Sequence, residues 1–323
     1  MGQEPNVDGV LIQWGDRLFY PGNRIVHGRA LPKLTGPSAR QRATIIRSRI
    51  AATVMRRAPQ VMVKVTGGGR GMRGIAAHFR YISKNGRLAI ENEVGEQMQG
   101  KDVLPELVDE WRFGGTLIGD VSLRREAFNI MLSMPHGTDS LAVQRAAREF
   151  AQGELKDHKY VMVLHDHQAN PHVHISVRAE SKHGKRLNPR KADLQRWRET
   201  FARHLREWGI DAEATRQATR GQSQKFEPLW RIKARQDGRL RQDGSGMNTK
   251  SSKVARARRA GAAEAWEHIA QALAASDDRA DQELARAITK FVRDEPAART
   301  LARTVKTIEI SHPTKPQEVN PRR

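Results

Sequence analysis

Residues 163–177, VLHDHQANPHVHISV, gather His165, His167, His172 and His174 into a short span. Imidazole is both a common metal ligand and a proton carrier near neutral pH. The runs YVMVLH (160–165) and HVHISV (172–177) are apolar and β-branched, and the polar DHQANP between them reads as a hairpin loop. Alternate residues of a strand share a face, so His172 and His174 project together while Val173 and Ile175 project the other way. The hairpin brings His165 back on the neighbouring strand as a third nitrogen. Three neutral imidazoles with coordination positions left over suit a catalytic divalent ion better than a closed structural site. The competing reading is a set of hydrogen-bonding strand histidines. His167, in the loop, is a ligand, a base or simply polar.

The surrounding composition narrows the chemistry. The chain has 323 residues, no cysteine and a formal charge of +21. Disulfides, thiolate metal sites and cysteine nucleophiles are thereby excluded, and a metal must sit on His, Asp or Glu. The charge favours a polyanionic partner, nucleic acid first, because neutralising phosphates releases condensed counterions. A histidine-bound metal in such a protein points to phosphodiester chemistry, in which the ion stabilises charge on a phosphoryl oxygen. That chemistry needs a nucleophile. Only three tyrosines are present, Tyr20, Tyr81 and Tyr160. In RGIAAHFRYISK, Ile75, Phe79 and Ile82 form a helical stripe and Tyr81 lies off it, between Arg80 and Lys84. An unperturbed phenol has a pKa near ~10, so attack at neutral pH needs a base or a positive field.

The elements that must hold these groups follow from periodicity. VMVKV (61–65) reads as a strand running into the glycine-rich TGGGRGMRG, a turn before the Tyr81 helix. Phosphate cradling by Gly67, Gly68 and Gly69 is the less favoured reading, since the nucleotide-binding fingerprints do not fit. AFNIMLSM (127–134) is a second strand, followed by a helix to about Leu155 capped by Thr138 or Asp139. A helix from Pro189 carries Leu194, Trp197, Phe201, Leu205 and Trp208 on one stripe and stops at Gly209. The hairpin implies antiparallel pairing, so the fold class is α+β: a central antiparallel sheet flanked by helices.

The predicted organisation is a basic extension (1–58), a nuclease-like domain (59–222), a basic linker (223–252), a helical region (253–310) and a flexible tail (311–323). In the extension, QWGDRLFYPGNR reads as loop or turn. The stretch that follows, SARQRATIIRSRIAATVMRR, reads as a basic helix with Ile46, Ile50 and Val54 inward. No stretch approaches the ~20 apolar residues of a membrane-spanning helix, and the N-terminus lacks a signal-peptide pattern. A cytoplasmic protein without membrane insertion is expected.

FRYISKNGRLAIE, LSMPHGTD and HDHQANPHVH, in that order, resemble the three motifs of conjugative relaxases, the HUH endonucleases that nick a transfer origin. The likeness is to the MobP-type group that includes the relaxase nicking tumour-inducing plasmid borders. It spans roughly residues 60–222, with TGGGRG before the tyrosine and GIDAEATRQATRGQ after the last helix. The resemblance implies that Tyr81 forms a 5′-phosphotyrosyl link and leaves a free 3′-OH, with Mg²⁺ or Mn²⁺ on His165, His172 and His174. It implies that Ser133 lies near the DNA around the nick, and that the fold is a central antiparallel sheet flanked by helices. The implied partners are single-stranded origin-of-transfer DNA, an accessory DNA-binding protein and a type IV coupling protein, for mobilization of a plasmid or other mobile element. The tail SHPTKPQEVNPRR is expected to contribute to export. Two positions depart from the family pattern. The usual acidic residue two places after the first histidine is His167 here, with Asp166 one place earlier, so Asp166 is the activating carboxylate or His167 replaces it. Where relatives often carry Asn after the last histidine, this chain has Arg178.

Two other functions fit parts of the sequence: a non-catalytic basic DNA-binding accessory protein, and a rolling-circle replication initiator, whose tyrosine normally follows the histidines. No tyrosine follows Tyr160. A small-molecule metal hydrolase would leave the charge of +21 without a purpose.

Overall fold

The computed structural model describes residues 6–20, 38–168, 170–220, 237–239 and 249–294, with side chains from residue 257 in the last stretch. In chain order the elements begin with α1 (Val7–Phe19), α2 (Ala39–Val54), β1 (Met62–Gly67), α3 (Met72–Ile82), β2 (Ile90–Asn92) and β3 (Gln97–Met98). They continue with α4 (Val103–Phe113), β4 (Ala127–Ser133), α5 (Ser140–Glu154), β5 (His158–His165) and β6 (His172–Ser181). The remaining helices are α6 (Lys191–Glu207), α7 (Thr249–Ala274) and α8 (Arg279–Asp294). The chain divides into two compact units, Arg57–Ala214 and Met1–Arg56 with Thr215–Arg323.

In the unit Arg57–Ala214 the strands pair in the order β1-β4-β6-β5-β2-β3, each neighbouring pair antiparallel. One sheet face packs Ile130 and Leu132 of β4 and Val173, Ile175 and Val177 of β6 against Phe150 of α5 and Trp197 and Phe201 of α6. The other face packs Val161 and Val163 of β5 against Ile75, Phe79 and Ile82 of α3 and Leu107 and Trp111 of α4. This alternation fixes the register. A one-residue slip of β6 would drive its histidines into the first core and expel its branched side chains, each stabilising by about 1.5–3 kcal/mol when fully buried.

The α+β architecture expected from the hairpin is present, and β5 and β6 run longer than the apolar runs alone indicate. The tight Gly67–Gly69 turn has a packing reason. A side chain on Gly68 would meet the Ala127 carbonyl at 2.2 Å, and Gly69 exchanges backbone hydrogen bonds with the start of β4. Asp139 caps α5 through the Leu141 N–H at 3.0 Å. Gly209 takes the positive φ of 80° that stops the helix before it. Trp208 departs from its expected stripe: it is 41% exposed, because it lies past the last turn of α6, where its Nε1 donates to Glu149 at 3.1 Å.

In the other unit the first part of the segment read as loop (13–24), residues 13–19, is helical in α1, and residues 21–24 lie outside the described residues. Asn6 caps that helix through the Gly9 N–H, and Leu11, Leu18 and Phe19 join Ile46, Ile50, Trp266 and Ile269 in one core. Gly15 provides room for Ile46, whose Cγ2 lies 2.5 Å from where a Cβ would stand. The inward stripe of α2 is as expected, but Arg47 is tied to Asp8 at 2.8 Å and Asp281 at 2.7 Å. Helices from the regions 1–58 and 253–310 share one core. Most of the expected linker 223–252, the helical pattern beyond 294 and the tail 311–323 lie outside the described residues. No described helix is long and apolar enough to cross a membrane.

Candidate active site

The β5–β6 pairing sets His165 opposite His172 and Val163 opposite His174. All three imidazoles are buried, with ring centroids 5.0 Å (His165–His172), 4.7 Å (His165–His174) and 5.0 Å (His172–His174) apart. One nitrogen from each ring lies within 4.8 Å of the others.

Hydrogen bonds select the nitrogens that remain bare. His165 Nε2 lies 2.7 Å from the Ile82 carbonyl and must donate to it, which leaves Nδ1 as the lone pair. That Nδ1 is sealed from solvent and has no partner among the described residues. His172 Nδ1 donates to the Asn170 carbonyl at 2.9 Å, leaving Nε2. His174 Nδ1 is likewise buried and unpartnered. Burial first, then the neighbouring imidazoles, pushes the His174 pKa down to about 3. Burial lowers that of His165 as well, against the support of the Ile82 carbonyl. The lowered basicity of His165 and His174, and the lone pairs left bare on their Nδ1 atoms, are what a divalent ion requires of its ligands.

Tyr81 stands beside this cluster on the last turn of α3. The buried stripe of that helix is Ile75, Phe79 and Ile82, and Tyr81 is 68% exposed. Its ring centroid is 6.3 Å from that of His174. The tyrosine and the three histidines, far apart in sequence, therefore share one side of the sheet.

Asp166 and His167 occupy the hairpin loop. The His167 ring is 5.1 Å from that of His165, and its Nδ1 is 4.0 Å from an Asp166 carboxylate oxygen. Asp166 is well exposed, with 60% of its side chain accessible. Ser133 is buried opposite His172 in the β4–β6 register, and its hydroxyl faces the Met134 and Pro171 carbonyls at 3.4 Å.

Three contributors are not evident from the motifs. The Ile82 and Asn170 carbonyls orient two imidazoles, and no residue type signals a backbone acceptor. His78, three residues before Tyr81, stacks near its ring with centroids 6.2 Å apart. The helical i, i+3 spacing is a signal that could have found it. Arg178 shares the strand face of His174 but is buried, donating to the carbonyls of Trp111 at 2.9 Å, Gly114 at 3.1 Å and Thr116. It closes the C-terminal end of α4 instead of reaching toward the histidines. A second group, Glu149, His204 and Glu207, lies on α5 and α6; its imidazole already contacts both carboxylates, at 3.0 and 2.7 Å.

Residues 90–210 match the family model described as Relaxase: MobA/VirD2-like, nuclease domain. The matched span contains the three histidines and Ser133 and begins after Tyr81. No curated protein matches the chain.

Proposed function

We infer, from the premise that this chain carries the nuclease domain of a MobA/VirD2-like relaxase, that it nicks one strand of a transfer origin by attack of Tyr81 on the DNA backbone. The observation carrying this reading is the 6.3 Å approach of the Tyr81 ring to that of His174, one of three histidines whose nitrogens lie within 4.8 Å of one another.

In the proposed reaction the Tyr81 oxygen attacks the scissile phosphorus. A bond from phosphorus to the phenolic oxygen forms, the bond to O3′ breaks, and the phenol proton leaves. The departing 3′ oxygen ends as a hydroxyl, and the 5′ end stays linked to Tyr81. Reversal by a 3′-OH rejoins the strand without ATP, because the phosphotyrosyl bond conserves the energy of the phosphodiester. His165, His172 and His174 would hold a divalent ion, whose positive charge would stabilise the phosphoryl oxygens. Three nitrogen donors suit Mn²⁺ better than the harder Mg²⁺. The chain's own part is to keep those imidazoles neutral and aimed, and to present Tyr81 on a helix fixed to the same strand. In this reading His167 would receive the phenol proton, with an Asp166 carboxylate oxygen 4.0 Å from its Nδ1. Ser133, held under the site beside His172, supports that strand end.

The proposed substrate is single-stranded origin DNA, with cationic side chains carrying more of the affinity than stacking, given 5% aromatic content. An accessory origin-binding protein and a type IV coupling protein belong to the same reading, as does action in the cytoplasm. The test is incubation with candidate origin oligonucleotides. Cleavage at one position with Mn²⁺, lost with EDTA and in His172→Ala, supports the reading. Cleavage that persists in His172→Ala refutes the metal centre.

A further inference from the structure

We propose that His78 is a positioning residue of the metal centre, its Nε2 holding a water that enters with the ion. The inference rests on the reading of His165, His172 and His174 as the ligands.

His78 sits on α3 one turn before Tyr81, on the flank left free by Ile75, Phe79 and Ile82. Its ring is near-parallel to Tyr81 (28°, 6.2 Å) and edge-on to His174 (80°, 6.3 Å). With the 6.3 Å separation of Tyr81 from His174, the three rings form a nearly equilateral triangle. His78 therefore lies beside both the proposed nucleophile and a proposed ligand.

Its Nε2 is sealed from solvent and has no hydrogen-bond partner among the described residues. Buried polar atoms are nearly always paired, and an orphan calls for a specific explanation. Among the described residues the histidine nitrogens in this condition are His165 Nδ1, His174 Nδ1 and His78 Nε2. The ion accounts for the first two. The third belongs to the ring edge-on to one of them, and packing alone would be served as well by phenylalanine. Polar groups just outside a metal's direct ligands orient the site and typically change metal affinity about 10–100-fold when removed.

The experiment is Mn²⁺ titration of the full chain without DNA, following free Mn²⁺ by electron paramagnetic resonance. His78→Gln places an amide near the Nε2 position, whereas His78→Asn reaches only the Nδ1 position. The expected result is near-native affinity for Gln and affinity weakened by about tenfold or more for Asn and for His78→Phe. His172→Ala is expected to lose binding. Equal affinities for the Gln and Asn variants, with binding lost in His172→Ala, would overturn the inference while leaving the metal centre standing. Unchanged binding in His172→Ala would instead overturn the metal centre, and the role of His78 with it.

Discussion

The Nε2 atom of His165 donates to the carbonyl of Ile82 at 2.7 Å, joining the end of β5 to the last turn of the helix that carries Tyr81. One contact thus fixes the imidazole tautomer, caps a helical carbonyl that has no partner within its own helix, and holds the nucleophile's helix beside the metal ligands.

That double role separates His165 from His172. His165→Ala is expected to remove Mn²⁺ binding and also to lower metal-free stability by about 1–3 kcal/mol, the cost of a buried acceptor left unpaired. His172→Ala, whose second nitrogen bonds the nearby Asn170, should remove Mn²⁺ binding with a smaller stability change. Urea unfolding in EDTA measures both, and equal losses would contradict the capping role.

Arg178 extends the same logic to α4. Its guanidinium serves three carbonyls at the end of that helix, and Trp111 packs edge-on against Phe79 of α3, centroids 4.9 Å apart. Arg178→Met should destabilise the fold by at least about 1–3 kcal/mol, the cost of a buried acceptor left unpaired, as read from denaturant midpoints. Mn²⁺ affinity of the folded fraction should stay near wild type, since the guanidinium bonds the carbonyls of Trp111, Gly114 and Thr116 rather than His165, His172 or His174.

Much of this arrangement was legible in the sequence. The His-x-His alternation is a strand signal that names the face each ring must occupy, and the Ile75, Phe79, Ile82 stripe places Tyr81 outside the core. Other parts were hidden for physical reasons. Helix α1 falls partly in a stretch that reads as loop or turn until Ile46 is seen to fill the space beside its glycine. Strands β2 and β3 have three and two residues, too short for periodicity to register. Arg178 looked like a replacement for a residue near the ion, whereas its length lets it reach α4. The choice between Asp166 and His167 stayed open in the sequence, since two adjacent loop residues share no periodicity that would orient them; the His167 ring lies 5.1 Å from that of His165.

The glycine before α3 has a testable consequence. Gly71 has φ +99°, and an added Cβ would stand 2.3 Å from the Asp120 carbonyl oxygen. Gly71→Ala should therefore lower stability by at least about 1–3 kcal/mol, with a reduced Tm. An unchanged Tm would mean that the turn is not needed to launch the Tyr81 helix.

Acid sensitivity should involve Glu126, beside the start of β4. Burial alone would raise its carboxyl pKa, but hydrogen bonds from Arg124 and Ser122 and the nearby Arg186 hold it below the ordinary carboxylate value. A folded pKa below the unfolded one gives stability that is present above the unfolded value and lost as pH falls through the folded value. Glu126→Gln should be less stable than wild type near neutrality, with the gap closing below about pH 4. A gap independent of pH would exclude this linkage.

The most direct measurement of the central claim is covalent capture. Wild-type chain incubated with Mn²⁺ and a single-stranded origin oligonucleotide should yield a protein–DNA adduct that survives denaturation. Peptide mass spectrometry should place the nucleotide on Tyr81, and Tyr81→Phe should give no adduct. An adduct of equal yield in Tyr81→Phe, or one mapped to Tyr20 or Tyr160, would contradict the account.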